Sequence, residues 1–461
     1  MTAQSTSNAY QTTSGNLLVL VAVIMVLFPA AIDGTVISTL LPTITDKLGE
    51  HNLYPWIMSG FLLPLALIAP LSGALADRFG ASRVLVAGIL LFLCASAVAA
   101  LSPSLPWLIA ARVGQGAGAG MIIVLSYTLL AILFGPERRG QMQGILSGVW
   151  GLAAILGPII GVILNAALGW RWVFWINLPI GLLGLILLSR AQPVGVGKTG
   201  GGIAPVSQAL FAVTVCGALL VLSEAGQNIH ISLAAGVGGL LAFLALYLEV
   251  RKAPERSPVP IRFFQRRDLS AVIAMVLLSS AGLYASVTLL PFSLHQTHGS
   301  STLSIGFFVM VAALGWVVGS AVCGFALKKH GYRQPTLMGA VILVVGASGL
   351  ALTTIHGNAI FIAVSELAIG LGMGFVATST LVLCQNAAPP AHIGSYTSTV
   401  QLLRNLGAAL GINTLAAIQI YGGGGVDSFT ISFTVLAVLM ILNIPLALLL
   451  PRDYNLRLEE R

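Results

Sequence analysis

Residues 17–41 read LLVLVAVIMVLFPAAIDGTVISTLL, an apolar run that contains one charged residue, Asp33. About 20 apolar residues in a helix cross the hydrocarbon core of a bilayer. An acid at that depth costs a few kcal/mol or more, so it usually faces other protein or a water-filled cavity. The stretch therefore predicts a transmembrane helix in which Asp33 exchanges a proton or binds a cation.

The composition of the whole chain indicates an integral membrane protein. Of its 461 residues, 57% are hydrophobic and only 8% are charged, whereas soluble domains carry roughly 25% charged residues. The apolar runs are far longer than the ~10-residue strands of a membrane β-barrel, so the spans are predicted to be helical. The four cysteines lie in apolar runs without metal-ligand spacing, and we expect them to be packing residues.

Apolar windows separated by polar connectors predict fourteen spans. Their limits are 16–41, 54–75, 83–101, 105–134, 141–168, 172–190, 207–225, 230–250, 269–294, 303–327, 335–355, 358–386, 393–420 and 428–450.

Basic residues predict the orientation of these spans. Of the 22 lysines and arginines, 18 fall in the tail or in connectors on the side of the termini, and only Lys47 and Arg171 fall on the other side. The positive-inside rule then predicts that both termini lie in the cytoplasm. The membrane is expected to be a cell membrane, either a plasma membrane or a bacterial inner membrane. The net charge of +8 is attributed to orientation, and no nucleic-acid partner is expected.

Two connectors divide the chain into three parts. Residues 192–205 are rich in Gly and Pro, and residues 251–268 are basic and contain three prolines. We predict an N-terminal six-helix bundle at 1–191, two linking helices at 192–256 and a C-terminal six-helix bundle at 257–461.

The two six-helix parts carry a weak internal repeat. Gly73 and Gly80 lie seven residues apart and enclose a pair of charged residues. Gly324 and Gly331 do the same in the second part. Span four has Arg112 followed by Gly at +4, +6 and +8, and span twelve repeats that spacing after Glu366. Repeated halves in a polytopic protein are typical of transporters with a site near the bilayer midplane.

Three charged residues inside spans are candidates for proton coupling. Asp33 could bind a proton or a cationic group, with Thr35 and Ser38 nearby. Arg112 needs a buried partner, and Asp33, Gln115 and backbone carbonyls are the candidates. Desolvation favours the neutral form of a carboxyl group, so Glu366 could load and release a proton, and it is also a candidate for binding substrate. A structural ion pair for Arg112 and a permanently protonated packing role for Glu366 stay open.

Two motifs are candidates for conformational control. Asp77, beside Arg78 in the Gly73–Gly80 loop, could cap or pair with a helix end of the other half, although a tight solvated turn is an equal alternative. In span five, Pro158 removes a helix hydrogen bond and the glycines provide a packing face. The residues concerned are Gly157, Pro158 and Gly161.

Aromatic residues are candidates for a substrate cavity, but membrane aromatics more often anchor the interface or pack. The candidates are Tyr54, Trp56, Trp150, Tyr284 and Phe292. Arg404, in span thirteen, could equally snorkel to the cytoplasmic end of its helix.

These motifs together resemble the major facilitator superfamily, and more closely its 14-helix drug:proton antiporter family. The resemblance rests on Asp33–Pro42, Gly73–Gly80, Arg112 with Gln115 and Gly116, Gly144–Gly161 and Trp170–Gly181. It implies an all-α fold of two pseudo-symmetric six-helix bundles with two added helices. It also ties Arg112 to proton transfer.

The expected function is proton-driven export of lipophilic compounds, cationic ones foremost, by alternating access. A dedicated metabolite or siderophore exporter of the same fold is the alternative, and a proton-coupled importer is less favoured. An enzyme is not expected, because the embedded charges are single and lie on separate helices. The sequence has no GxxxxGK[ST] phosphate loop and no metal-ligand spacing, so neither ATP drive nor a cofactor is expected. The partners expected are protons, amphipathic substrates and lipid, and the protein is expected to act as a monomer.

Overall fold

The structure of the protein is a computed structural model. It describes residues 13–49, 54–190, 205–224, 229–254, 257–260, 262–298, 302–356, 358–422 and 426–454. Within these residues the regular secondary structure is entirely helical.

Seventeen α-helices follow one another along the described chain, with a short 3₁₀ turn at Pro390–His392 before α15. They are α1 (Thr13–Leu48), α2 (Tyr54–Phe79), α3 (Ala81–Ala100), α4 (Leu105–Leu133), α5 (Gly135–Leu168), α6 (Trp172–Trp175), α7 (Asn177–Arg190), α8 (Pro205–Glu224), α9 (Ile229–Lys252), α10 (Arg262–Gln265), α11 (Arg267–His298), α12 (Thr302–His330), α13 (Arg333–His356), α14 (Ala359–Ala387), α15 (Ile393–Tyr421), α16 (Val426–Ile441) and α17 (Asn443–Leu448).

Among the described residues, twelve helical segments are long and apolar enough to cross a membrane. They are α1 to α5, α6 with α7, α9, α11 to α14, and α16 with α17. The other two predicted spans, 207–225 and 393–420, coincide with α8 and α15. In α8 only the shorter segment Val206–Ala218 is apolar enough. The prediction of a multi-helix membrane fold is confirmed, whereas the count of fourteen spans is not.

The chain divides into two compact units. The first comprises Met1–Met142, Leu152–Gly200 and Ala388–Ser398, and the second comprises Gln143–Gly151, Gly201–Ala387 and Thr399–Arg461. The two predicted linking helices are α8 and α9, which pack along each other in the second unit. The domain limits predicted at residues 191 and 256 stay a prediction.

In the first unit α4 is the central helix, and it packs against α1, α2 and α3. Its glycines permit this. A Cβ on Gly116 would lie 2.8 Å from the backbone carbon of Phe61 in α2, and a Cβ on Gly118 would lie 2.6 Å from the backbone nitrogen of Phe92 in α3. Residues four apart share a helix face, so Gly116 and Gly120 both face α2, while Gly118 faces α3.

In the second unit α14 is surrounded in the same way by α11, α12 and α13. A Cβ on Gly370 would lie 2.9 Å from the Ala312 carbonyl carbon of α12, and a Cβ on Gly372 would lie 2.6 Å from the Gly339 oxygen of α13. In both units the +4 glycine thus faces the helix two places earlier in the chain, and the +6 glycine faces the helix immediately before its own. The repeat read from the sequence corresponds to repeated close packing.

Candidate functional site

Arg112 and Asp33 form a buried ion pair in the first unit. Arg112 lies on α4 and is fully buried, and Asp33 on α1 is 3% exposed. The Nη1 group of Arg112 donates to Oδ2 of Asp33. Because α4 packs directly against α1, the two charges lie side by side although 79 residues separate them.

The remaining contacts of Arg112 hold its guanidinium in one orientation. Nε donates to the Ile57 carbonyl of α2 at 3.2 Å, and Nη1 also donates to Gln115 Oε1 at 3.1 Å. The guanidinium carbon lies 4.2 Å from the centre of the Phe61 ring, within cation–π range. All three candidate partners predicted from the sequence, namely an acid, Gln115 and a backbone carbonyl, meet at Arg112.

The polar contacts continue from Arg112 across two more helices. Gln115 Nε2 donates to Ser96 Oγ of α3 at 2.8 Å, and Asn177 Nδ2 of α7 donates to the same oxygen at 3.4 Å. Ser96 and Asn177 are buried. Sequence reasoning did not single them out as site residues. Asn177 does lie within the Trp170–Gly181 string, whereas the sequence around Ser96 carries no signal.

A small cavity of about 40 Å³ lies beside this ion pair in the first unit. Asp33 and Asn177 are its polar lining residues, and its apolar wall is formed by Phe28, Pro29, Ile32, Val36, Ile37, Ile160, Val173, Ile176 and Ile180. A cavity needs roughly 10–15 Å³ of such space to hold a water molecule, so this one is large enough to admit water. Asp33 therefore has room for a proton carrier at its side.

Glu366 occupies on α14 the position that Arg112 has on α4. It is fully buried, and its only described hydrogen bond is a long one, with the Ser286 hydroxyl of α11 donating to Oε2 at 3.4 Å. Among the described residues Oε1 has no hydrogen-bond partner. A buried carboxylate without a cation is strongly disfavoured, which fits a carboxyl group that carries a proton here.

Asp77, the candidate gate residue, caps the N-terminus of α15 within the first unit. Its carboxylate accepts hydrogen bonds from the backbone N–H groups of Gly394 and Ser395, each at 2.9 Å, and from the Ser395 hydroxyl. These N–H groups have no partner inside their own helix, and a negative charge is favoured there. Gly73 allows the approach, because a Cβ there would lie 2.5 Å from the Gly394 carbonyl oxygen.

The predicted Gly73–Gly80 loop is not a loop: its residues up to Phe79 form the last turns of α2, and only Gly80 lies between α2 and α3. The other residues of this segment have different surroundings. Arg78 is exposed and lies over the Phe79 ring. Gly80 precedes α3 with a φ of 92°, which side-chain-bearing residues rarely adopt. The end of α2 therefore combines an exposed cation, a carboxylate that caps α15 and a following turn that favours glycine.

The helix-five residues lie against α1 near Asp33. A Cβ on Gly157 would lie 2.9 Å from the Thr35 Cβ, and one on Gly161 would lie 3.3 Å from Val36 Cγ1. The Thr35 hydroxyl also reaches the Ala153 carbonyl at 3.4 Å. The helix α5 continues through Pro158. These glycines let α5 approach the part of α1 that carries the acid.

The predicted aromatic wall residues are only partly placed. Trp150 on α5 and Tyr284 on α11 are half-buried, and Trp56 is 54% exposed. The side chains of Phe292, Tyr54 and Ser38 lie outside the described residues. A role for these aromatics in binding stays a prediction.

Comparison with known proteins agrees with this architecture. The family model described as Major Facilitator Superfamily matches residues 23–412. The "Multidrug transporter protein MdtP" of Bacillus subtilis (strain 168) is 29% identical over 417 residues, covering 87% of this chain and 75% of that protein. The "Multidrug resistance protein 3" of the same organism is 26% identical over 405 residues, covering 87% and 79%.

Among solved structures, the proton:xylose symporter XylE bound to 6-bromo-6-deoxy-D-glucose has a TM-score of 0.68 at 16% identity, covering 94% of this chain and 95% of that one. That likeness concerns the fold alone. Because the family match extends over most of the chain and the relatives are transporters, this protein belongs to the Major Facilitator Superfamily and is a multi-pass membrane transporter, not an enzyme.

Proposed function

We propose that the protein is a proton-coupled antiporter of the 14-helix drug:proton type. It exports lipophilic compounds, cationic ones foremost, by alternating access. Its α8 and α15 supply the two further spans, the seventh and the thirteenth along the chain, that complete the fourteen. Both termini lie in the cytoplasm, and the protein acts as a monomer in the cell membrane. The names of the two Bacillus relatives, a multidrug transporter and a multidrug resistance protein, support efflux.

The observation that carries the proposal is the buried Asp33–Arg112 pair beside its small cavity. Arginine keeps its proton in proteins, so Asp33 is the partner that can be neutralised. When Asp33 takes a proton, Arg112 becomes an uncompensated buried cation, which costs several kcal/mol. Protonation therefore favours a rearrangement that returns a counter-charge or water to Arg112. That is the property a coupling site requires.

Two further features fit such a cycle. Glu366 is a second buried carboxyl group, and it could carry a proton in a step separate from Asp33. The Asp77 cap on α15 is a contact that a transport cycle could make and break, because its hydrogen bonds are worth only about 0.5–2 kcal/mol as a helix cap. The close contacts of Gly157 and Gly161 with α1 would pass movement near Asp33 to α5.

The test is uptake of ethidium, a fluorescent lipophilic cation, into inverted membrane vesicles with an acidic interior. Wild-type vesicles should accumulate the dye only while the proton gradient lasts. Asp33→Asn and Glu366→Gln should each lower gradient-dependent uptake at least tenfold. The matched control is Asp427→Asn, which neutralises an exposed acid on the first turn of α16 and should keep wild-type uptake. Full gradient-dependent uptake by both site variants would show that the coupling mechanism is wrong.

A further inference from the structure

Arg404 is one of three buried arginines, with Arg112 and Arg139, and it has no acidic partner in the part of the chain that the structure describes. It lies on α15 in the second unit and is 4% exposed. Its Nη1 donates to Gln401 Oε1 at 3.2 Å, and its guanidinium carbon lies 5.9 Å from the centre of the Trp316 ring of α12. The guanidinium is enclosed by protein, which argues against snorkelling.

The nitrogens left over on Arg404 form a carboxylate-binding edge. Within the described ranges, Nε and Nη2 have no hydrogen-bond partner. The same two nitrogens of Arg266 bind Asp268 in the bidentate manner, Nε to Oδ1 at 3.1 Å and Nη2 to Oδ2 at 2.6 Å. Two parallel N–H donors match the two oxygens of a carboxylate in distance and direction.

The neighbours of Arg404 add donors without acceptors. Trp316 Nε1 and Gln401 Nε2 are buried N–H groups that also lack a partner among the described atoms. Four such donors around one positive charge suit a ligand that is rich in acceptors and negative in charge. Because Trp316 also offers an aromatic face, a flat apolar group next to the charge would complete the contact.

We propose that Arg404, Gln401 and Trp316 form a binding site for the carboxylate of an amphipathic aromatic acid. The inference deepens the proposed function and rests on it only for the claim that such acids are transported. Their binding can be measured with no proton gradient present. The compounds handled by the protein would then include acids, not only lipophilic cations.

The test measures binding of 1-naphthoate to the purified full-length protein in detergent at neutral pH, with empty micelles as the blank. The comparison ligand is 1-naphthamide, which keeps the ring and loses the charge. Wild-type protein should bind naphthoate at least tenfold more tightly than naphthamide, which corresponds to about 1.4 kcal/mol. Arg404→Gln should bring the ratio of the two dissociation constants close to one.

Two more variants separate recognition from folding. Arg404→Lys keeps the charge but loses the planar fork, so most of the preference for naphthoate should disappear while the protein stays monodisperse. Arg251→Gln is the matched control, because Arg251 is exposed and lies over the Tyr247 ring at 5.1 Å. It should keep the wild-type ratio.

Equal binding of naphthoate and naphthamide by wild-type protein, or a preference that survives both Arg404 variants, overturns the proposed site. The outcome is separable from that of the ethidium assay. Loss of proton-driven ethidium uptake concerns the coupling mechanism, whereas the naphthoate ratio concerns Arg404 alone.

Discussion

Replacing Asp33 by Asn should show how much the buried ion pair contributes to the free energy of unfolding. The substitution keeps the volume of the side chain, so no cavity opens, but Arg112 loses its counter-charge. Breaking one partner of a buried pair typically costs about 3–5 kcal/mol. Arg112 keeps the Ile57 carbonyl, Gln115 and the Phe61 ring. We therefore expect the lower end, a loss of about 3 kcal/mol in the free energy of unfolding.

A double-mutant cycle isolates the pair itself. Arg112→Gln should destabilise by a similar amount, because it removes the same ion pair and three other contacts. The double variant should lose less than the sum of the two single variants, with a coupling of about 2 kcal/mol. The assay is unfolding of the purified protein in mixed micelles as the fraction of SDS is raised, followed by circular dichroism.

The matched control is the Arg266–Asp268 pair, where the side chains are 40% and 14% exposed. Water screens such a pair, so its coupling should be about 1 kcal/mol or less. A coupling between Asp33 and Arg112 no larger than that of the control pair would refute the reasoning.

Three further outcomes are expected in the same unfolding assay. Gly116→Ala should lower the free energy of unfolding by about 1–3 kcal/mol, because the new Cβ would press on the Phe61 backbone. Gly148→Ala is the control: a Cβ there meets no described atom within 4 Å, so the change should be neutral or stabilising. Equal effects of the two substitutions would contradict the packing of α4. Asp77→Ala should cost about 1 kcal/mol through the lost cap, and no loss would mean that the cap is not formed. Gly80→Ala should lower the free energy of unfolding by about 1–3 kcal/mol, because residues with a side chain rarely adopt its φ of 92° and ψ of 135°, and an unchanged midpoint would argue against that turn.

The sequence showed the glycine repeat of spans four and twelve, but not what its glycines contact. In the structure these glycines lie at close helix contacts, and their spacing decides which of them share a helix face. The sequence could not say that Gly116 faces Phe61 while Gly118 faces Phe92. Those partners depend on the order and tilt of helices that are distant in sequence.

Charged residues of the site were easier to predict than neutral ones. Asp33 and Arg112 stand out because a charge inside an apolar run is costly, and the cost itself suggests a partner. A buried hydroxyl or amide costs less and is common in helices, so Ser96 gave no signal. In α15, polar residues lower the hydropathy of the helix, so it is not among the twelve segments that are apolar enough to cross a membrane. That α15 crosses the membrane is therefore a proposal.

The order of the two charges along the chain bears on how the protein enters the membrane. Synthesis delivers α1 before α4, so Asp33 enters the bilayer first, and an aspartate can do so as a neutral acid. An arginine at the centre of a helix adds about 2.5–3.5 kcal/mol to insertion and cannot shed its charge. By the time Arg112 arrives, the acid that can supply its counter-charge is already in the membrane. The residue that must keep its charge is therefore inserted next to the group that can neutralise it.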